Sequence, residues 1–368
     1  MMRASINRLF YALTRNLDGP LMIAFVVLAA ISLTVVFSAS GGNADRVLGQ
    51  ARNFAIALMV MWVIANIPPQ TLMRFAIPVY VVGLILLLCV AGFGESRNGA
   101  KRWLHLGFIT SQPSEIMKIG MPLLLAWYFH RKEGALGIKD YLIAGLILIV
   151  PTVLVQQQPD LGTSILIFSA GFFVVFFSGL SWKLLIAGAI SAAAALPLVW
   201  PLLREYQRDR IRTFIDPTND PLGAGYHIIQ STIAIGSGGL LGKGWLNGSQ
   251  AQLDFIPERS TDFILAVFGE EFGLLGILLL LTLYLIIIGR GMMIANNAPT
   301  TFSRLLAGAV TLSFFTYAFV NIGMVTGILP VVGVPLPLMS YGGTAILSMC
   351  ISFGMLMSIS THKQLVST

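Results

Sequence analysis

The sequence predicts an all-α polytopic membrane protein with about ten transmembrane helices and a large extracytoplasmic loop between spans seven and eight. Three observations carry this expectation. Of the 368 residues, 56% are hydrophobic and only 11% are charged, whereas soluble domains carry roughly a quarter charged residues. Ten stretches match the run of about 20 mainly apolar residues that crosses a hydrocarbon core as a helix. Lysine and arginine crowd the short connections on one side of those stretches, which fixes an orientation.

The ten stretches lie near 21–40, 48–66, 75–93, 113–129, 141–156, 161–179, 183–200, 263–289, 305–327 and 340–360, and the chain reads as a single integral membrane domain. The first follows Arg3, Arg8 and Arg15 and is not followed by a small-residue cleavage signature, which predicts a retained anchor. A polar break at 156–160 separates the fifth from the sixth. The short connections on the side of the termini hold eleven Lys and Arg, against five on the other side (Arg46, Arg52, Arg97, Lys101, Arg102). This asymmetry predicts cytoplasmic termini and an outward-facing segment 201–262. The net charge of +7 reflects the same excess and does not imply nucleic acid.

Segment 201–262 reads as a folded lid. In LLREYQRDRIRTFIDP, Arg204, Arg208 and Arg212 recur every fourth residue with Arg210 on another face, as in a charged helix. Ile228, Ile229, Ile233 and Ile235 are then interspersed with small polar residues, which suits a short element lying in the interface. The stretch LDFIPERSTDFILAVFGEEFGLLG, 253–276, places five of the sixteen acidic residues (Asp254, Glu258, Asp262, Glu270, Glu271) at the mouth and upper turns of span eight. Before span ten, Pro330, Pro335 and Pro337 in LPVVGVPLPLMSYGG rule out a regular helix and predict an irregular outer rim.

Several familiar sites are excluded. GSGGLLGKG has Ser237 where a phosphate loop needs its first glycine, Gly244 where it needs Ser or Thr, and Leu241 where a dinucleotide fingerprint needs its last glycine. The four histidines are far apart in sequence and no HExxH occurs. Cys89 and Cys350 lie within apolar spans, where cysteine behaves as a small hydrophobe. Chemistry is left to carboxylates and cations.

These occur at unusual depth. Glu115 and Lys118, three apart in span four, project from one helical face within pairing reach. An ionisable residue inside a span costs about 3 kcal/mol on insertion scales, so such residues face a bundle interior, a hydrated cavity or each other. The two readings are a structural ion pair and a pair that positions a polar ligand. Asp160 opens span six beside Pro159, as a helix cap or as a cavity carboxylate. Asp262 stands where the basic loop enters the membrane, and its plain reading is a carboxylate favoured by a helix N-terminus. Glu270 and Glu271 lie about 12 Å deeper, so capping does not account for both. Together these features predict an outward-open polar cavity, floored by span carboxylates and covered by a basic lid, suited to a lipid-linked anionic sugar.

QPDLGTSI (158–165), DPLGAGYHIIQSTIAIGSGGLLGKGW (220–245), FIPERSTDFILAVFGEEFGLLG (255–276) and NIGMVTGILPVVGVPLPLMSYGGT (321–344) resemble the SEDS family of bacterial cell-wall polymerases, its elongation branch more than its division branch. The likeness runs from span one to span ten. It implies a peptidoglycan glycosyltransferase of the cytoplasmic membrane that joins lipid II units into glycan strands beside a class B penicillin-binding protein. It places the catalytic aspartate on Asp262 and substrate-binding charges on Glu115, Lys118, Asp160, Arg210 and Arg46. A divalent cation, Mg or Mn, is compatible with this chemistry, although no ligand cluster in the sequence demands one. The competing classes are a lipid II flippase and a noncatalytic scaffold of the synthase complex.

Overall fold

Each of the ten apolar stretches is largely helical in the computed structural model, which describes residues 15–362 apart from 98–99, 107–108, 133–135, 204 and 221–222. In chain order come α1 (Gly19–Ala39), α2 (Ala44–Ala65), a short α3 (Pro69–Arg74) and α4 (Ala76–Phe93). They are followed by α5 (Pro113–Arg131), α6 (Ile138–Gln157), α7 (Leu161–Phe177) and α8 (Trp182–Val199). The long loop contributes α9 (Glu205–Ile215), α10 (Ala224–Ser237) and α11 (Ser249–Gln252), and the chain ends with α12 (Ile264–Asn296), α13 (Thr301–Val325) and α14 (Gly343–Thr361). Among the described residues seven helices (α1, α2, α4, α6, α12, α13 and α14) are long and apolar enough to cross a membrane.

The apolar residues divide into two populations. Ile23, Met59, Leu146 and Leu285 are at least 65% exposed and form an outward surface suited to lipid. Inside, Phe25, Phe353, Phe314 and Tyr284 make a continuous file of edge-to-face rings with centroids 4.8, 5.4 and 5.2 Å apart, a geometry favoured by the ring quadrupoles. At one end of the bundle Asp18 caps α1, accepting the Leu21 N–H at 3.3 Å, and also takes Arg290 Nη2 at 2.8 Å and the Ser360 hydroxyl at 3.1 Å. One carboxylate thereby ties the start of α1 to the ends of α12 and α14.

The all-α expectation needs one correction. Between α4 and α5 the chain forms three short antiparallel strands, β1 (Glu95–Arg97), β2 (Ala100–Leu106) and β3 (Ile109–Ser111), in the order β1-β2-β3. Glu95 stands opposite Trp103 and Leu104 opposite Ser111. Strands this short carry too few alternations to stand out from a connection by periodicity. The interfacial element expected around Ile228–Ile235 is the helix α10, and it is drawn into the bundle: Ser231 is fully buried and its hydroxyl donates to Val325 O at 2.8 Å.

α12 is broken in its N-terminal third. At Gly273 φ is +63° and ψ is −163°, a conformation essentially restricted to glycine. Backbone groups freed inside a membrane helix must find partners, because no water is there to serve them. The stretch GSGGLLGKG supplies them. Leu274 and Leu275 N–H donate to Gly239 O and Leu240 O at 2.9 and 3.2 Å, while Lys243 and Gly244 N–H donate to Glu270 O and Glu271 O, both at 3.0 Å. Glycine is required for this approach: a Cβ on Gly238 would lie 2.1 Å from Gly269 O, and one on Gly242 2.1 Å from Glu271 O.

The two deep glutamates belong to this junction and not to the floor of an open cavity, which corrects the expectation for them. Glu270, fully buried, accepts Lys243 Nζ at 2.7 Å, the Ser249 hydroxyl at 3.1 Å and the Gln250 and Ala251 N–H groups at 3.0 and 3.3 Å. Glu271 accepts the Ser38 hydroxyl of α1. Gly273→Ala should cost about 1–3 kcal/mol from the forbidden backbone angle, and more from the clash with Gly242 N, 2.3 Å from the added Cβ. Gly289→Ala, where the same helix has open space, should be neutral or stabilising; thermal unfolding of the two purified variants measures the contrast.

Candidate active site

Three groups of polar side chains meet at the end of the bundle opposite Asp18. The first fixes Asp262. Residues 260–262 run beside the proline-rich segment 334–341, and their carbonyls are taken one after another: Ser260 O by Tyr341 N–H at 2.8 Å, Thr261 O by the Ser340 hydroxyl at 2.6 Å, and Asp262 O by Asn321 Nδ2 at 2.8 Å. Asn321 also donates to Val334 O at 2.7 Å. The segment is in turn held from three helices: Ser32 donates to Met339 O at 2.8 Å, Gln50 to Ser340 O at 3.0 Å and Tyr284 to Pro337 O at 2.7 Å. What the prolines predict as a rim is thus partly an inserted strip, with Val334, Leu336, Leu338 and Met339 all buried.

The Asp262 carboxylate is left free of these bonds. Phe263, not Asp262, is the N-cap of α12 and makes no capping bond; Asp262 stands one residue before it, at the N-terminus of the helix. Asp262 Oδ2 faces Gly333, where a Cβ would sit 3.4 Å away, and no described residue donates a hydrogen bond to the carboxylate. Burial pushes its pKa up to about 6, the charges of Glu258 and Asp160 push the same way, and Arg102 opposes them.

The second group surrounds Asp160, which is 5% exposed and caps α7. Oδ1 accepts the Thr163 N–H at 3.1 Å, and Oδ2 accepts Gln112 Nε2 at 3.3 Å and Arg102 Nη1 at 3.4 Å. Gly162 lets α7 press against the strip, since a Cβ there would lie 2.5 Å from Val332 O. Gly162 and Asp262 thus meet consecutive residues, Val332 and Gly333, and the Asp160 charge acts on Asp262. The third group is the predicted pair, Lys118 Nζ to Glu115 Oε1 at 2.6 Å, with Glu115 Oε2 accepting the Ser348 hydroxyl at 2.6 Å. Lys118 also lies 5.2 Å from the Tyr317 ring centre, beside a cavity of about 20 Å³, room for one water. Tyr317 feels the charges of Lys118, Glu115 and Asp160, so the second and third groups adjoin.

Two predicted cations are placed differently. Arg46 donates to the Ser260 hydroxyl at 3.0 Å and so braces the turn before Asp262. Arg210 is half-buried on α9, and neither it nor Arg46 is among the charges acting on Asp262. Arg102, which sequence reasoning counted only as an outward cation, is the one that is. Its signal is weak in sequence because the sheet that carries it was not foreseen.

Residues 19–365 match the FtsW/RodA/SpoVE family, described as cell cycle proteins. The chain belongs to this family. It is 51% identical to the peptidoglycan glycosyltransferase MrdB of Escherichia coli K12 over 96% of this chain and 95% of that one. It is 33% identical to a probable peptidoglycan glycosyltransferase FtsW of Idiomarina loihiensis over 95% and 88%. The fold is similar to a chain from a peptidoglycan synthase complex that coordinates polymerization and crosslinking (TM-score 0.81, 31% identity, 93% of this chain and 97% of that one). It is similar also to the rod shape determining protein RodA of Thermus thermophilus (TM-score 0.71, 26% identity, 93% and 96%). As a member of the FtsW/RodA/SpoVE family with many apolar helices, the chain is a multi-pass bacterial membrane protein.

Glu115 and Lys118 are 15% and 9% exposed, so removing either alone strands a charge where hydration is poor. In a double-mutant cycle of Glu115→Gln and Lys118→Met, each single change should cost more than its share, with a coupling of about 1–3 kcal/mol. Strictly additive losses in thermal unfolding or activity would show that the pair does not act as a unit.

Proposed function

We propose that this chain polymerises lipid II into glycan strands at the outer face of the cytoplasmic membrane during cell elongation, with Asp262 as general base and undecaprenyl diphosphate as leaving group. It is a peptidoglycan glycosyltransferase, the activity carried in the name of its 51% identical relative. The 4-hydroxyl of one sugar attacks the anomeric carbon of another, the carbon–oxygen bond to the diphosphate breaks, and the hydroxyl proton passes to Asp262. One displacement inverts the anomeric centre, so no covalent partner carboxylate is required, by analogy with inverting glycosidases. Lys118, Arg102, Arg46 and Arg210 are the cations available to steady the diphosphate as negative charge grows on it. A divalent cation, Mg²⁺ or Mn²⁺, would add neutralisation of the diphosphate when bound; Asp160 is already engaged by Thr163, Gln112 and Arg102, and no cluster of metal-binding side chains gathers among the described residues, so the diphosphate itself would have to supply most of its ligands.

The observation that carries this reading is the division of labour at Asp262. Its backbone is held by Asn321 while its carboxylate accepts no hydrogen bond from a described residue. A raised pKa brings its proton affinity toward the operating pH, where a general base works best. A class B penicillin-binding protein is the expected partner, supported by the similarity to a chain from a complex that couples polymerization to crosslinking.

The topology of this reading has ten crossings, both termini in the cytoplasm and 201–262 outside. The gathering of Asp18, Arg290 and Ser360 at the end opposite Asp262 supports it. A tag inserted near the exposed Asn247 should be reached from outside intact cells. An externally labelled C-terminus would defeat the arrangement.

Asp262→Asn should lower polymerisation of lipid II by the purified protein with its partner by roughly 10²- to 10⁴-fold, while expression and partner binding survive. Wild-type activity should fall as pH drops through about 6, where Asp262 takes up its proton and the base is lost. Near wild-type polymerisation by the Asn variant, with lipid II transport abolished, would replace this reading with the flippase.

A further inference from the structure

At the end of the bundle opposite Asp262, the ends of α5 and α7 and the start of α13 enclose a pocket of about 390 Å³ that the proposed reaction does not use. Lys132, Arg304, Ser178 and Thr301 line it, above apolar walls that include Phe177 and Leu305. The sequence explains such cations as topogenic. Orientation alone, however, requires only that they lie on one side, not that cations from two helices converge on one concavity.

Among the described residues their charges are only partly matched. Arg304 has no carboxylate partner among the described residues. Lys132 lies 3.4 Å from Asp140 Oδ1, but it is 53% exposed, and such pairs hold weakly. That carboxylate already accepts the Tyr128 hydroxyl at 2.9 Å and the Gly137 N–H at 3.0 Å. The start of α13 reaches the pocket wall at Thr301, one residue after its cap Thr300, which accepts the Ser303 N–H at 3.2 Å.

We propose that this pocket binds the phosphate of an anionic phospholipid headgroup. A lipid, in preference to a soluble phosphate, follows from the surroundings. Trp182 packs edge-on to Phe176 with centroids 6.0 Å apart, and Trp182 and Leu142 are each 68% exposed. They give an acyl chain an apolar surface to run along. Only the leaflet, which would be the cytoplasmic one, rests on the topology proposed above; the binding does not.

The test is native mass spectrometry of the full-length protein in neutral detergent, offered equal amounts of phosphatidylglycerol and phosphatidylcholine. One equivalent of phosphatidylglycerol should be retained with about thirtyfold preference, the scale expected for two cations near an anionic lipid. Lys132→Gln with Arg304→Gln should abolish the preference at an unchanged melting temperature, and Arg304→Lys should keep most of it. Undiminished preference in the double variant overturns the proposal. If that variant does not fold, undiminished preference in Arg304→Gln alone overturns it equally. Displacement of the lipid by millimolar inorganic phosphate would overturn the lipid assignment in favour of a soluble anion.

Discussion

The site depends on one constraint: irregular backbone inside a helical bundle must have its N–H and C=O groups satisfied by protein. Segment 334–341 and residues 260–262 meet that demand together. Ser32, Gln50, Asn321, Tyr284 and Ser340, each 3% exposed or less, all donate to carbonyls of this double strip. Leaving one such buried group unpaired costs about 1–3 kcal/mol, so the strip is held in one arrangement by many separate penalties. The position of Asp262 follows from these contacts. Its carboxylate need not take part in its own placement, which is why it can be both fixed and chemically available.

The acidic cluster of span eight divides by the same logic. Glu270 is saturated by an ammonium, a hydroxyl and two backbone N–H groups, and it spends its charge fastening the loop to the broken helix. Asp262 receives no such bonds, and its neighbours Glu258 and Asp160 raise its proton affinity. Residues eight apart in one sequence motif thus do opposite work, decided by what each is given to bind.

Much of the fold was legible in the sequence because lipid imposes a long and simple pattern. Each apolar run became a helix within about four residues of its expected ends, except that the eighth continues to Asn296. The Glu115–Lys118 pair followed from helical spacing alone. Three features were not legible. The sheet at 95–111 is too short for periodicity to declare itself, and with it went the role of Arg102. The break at Gly273 depends on glycines 30 residues earlier, in a stretch that local motif rules only showed not to be a phosphate loop. Asn321 and Ser340 read as ordinary polar residues of apolar spans, because their partners are carbonyls on other segments and a carbonyl has no sequence signature.

The connectivity of these contacts also sets an order of assembly. Chains leave the ribosome N-terminus first and fold progressively. The junction of residues 239–244 with α12 joins neighbours in sequence and can close as soon as that helix is in the membrane. The clasp on Asp262 joins Gln50 of α2 to Asn321 and Ser340, which emerge near the end of synthesis. The residues of the loop fastening are therefore all present while the Asp262 carboxylate still lacks the partners that place it. A nascent chain that stops short of Ser340 has the residues of the loop junction but lacks part of the clasp that places Asp262.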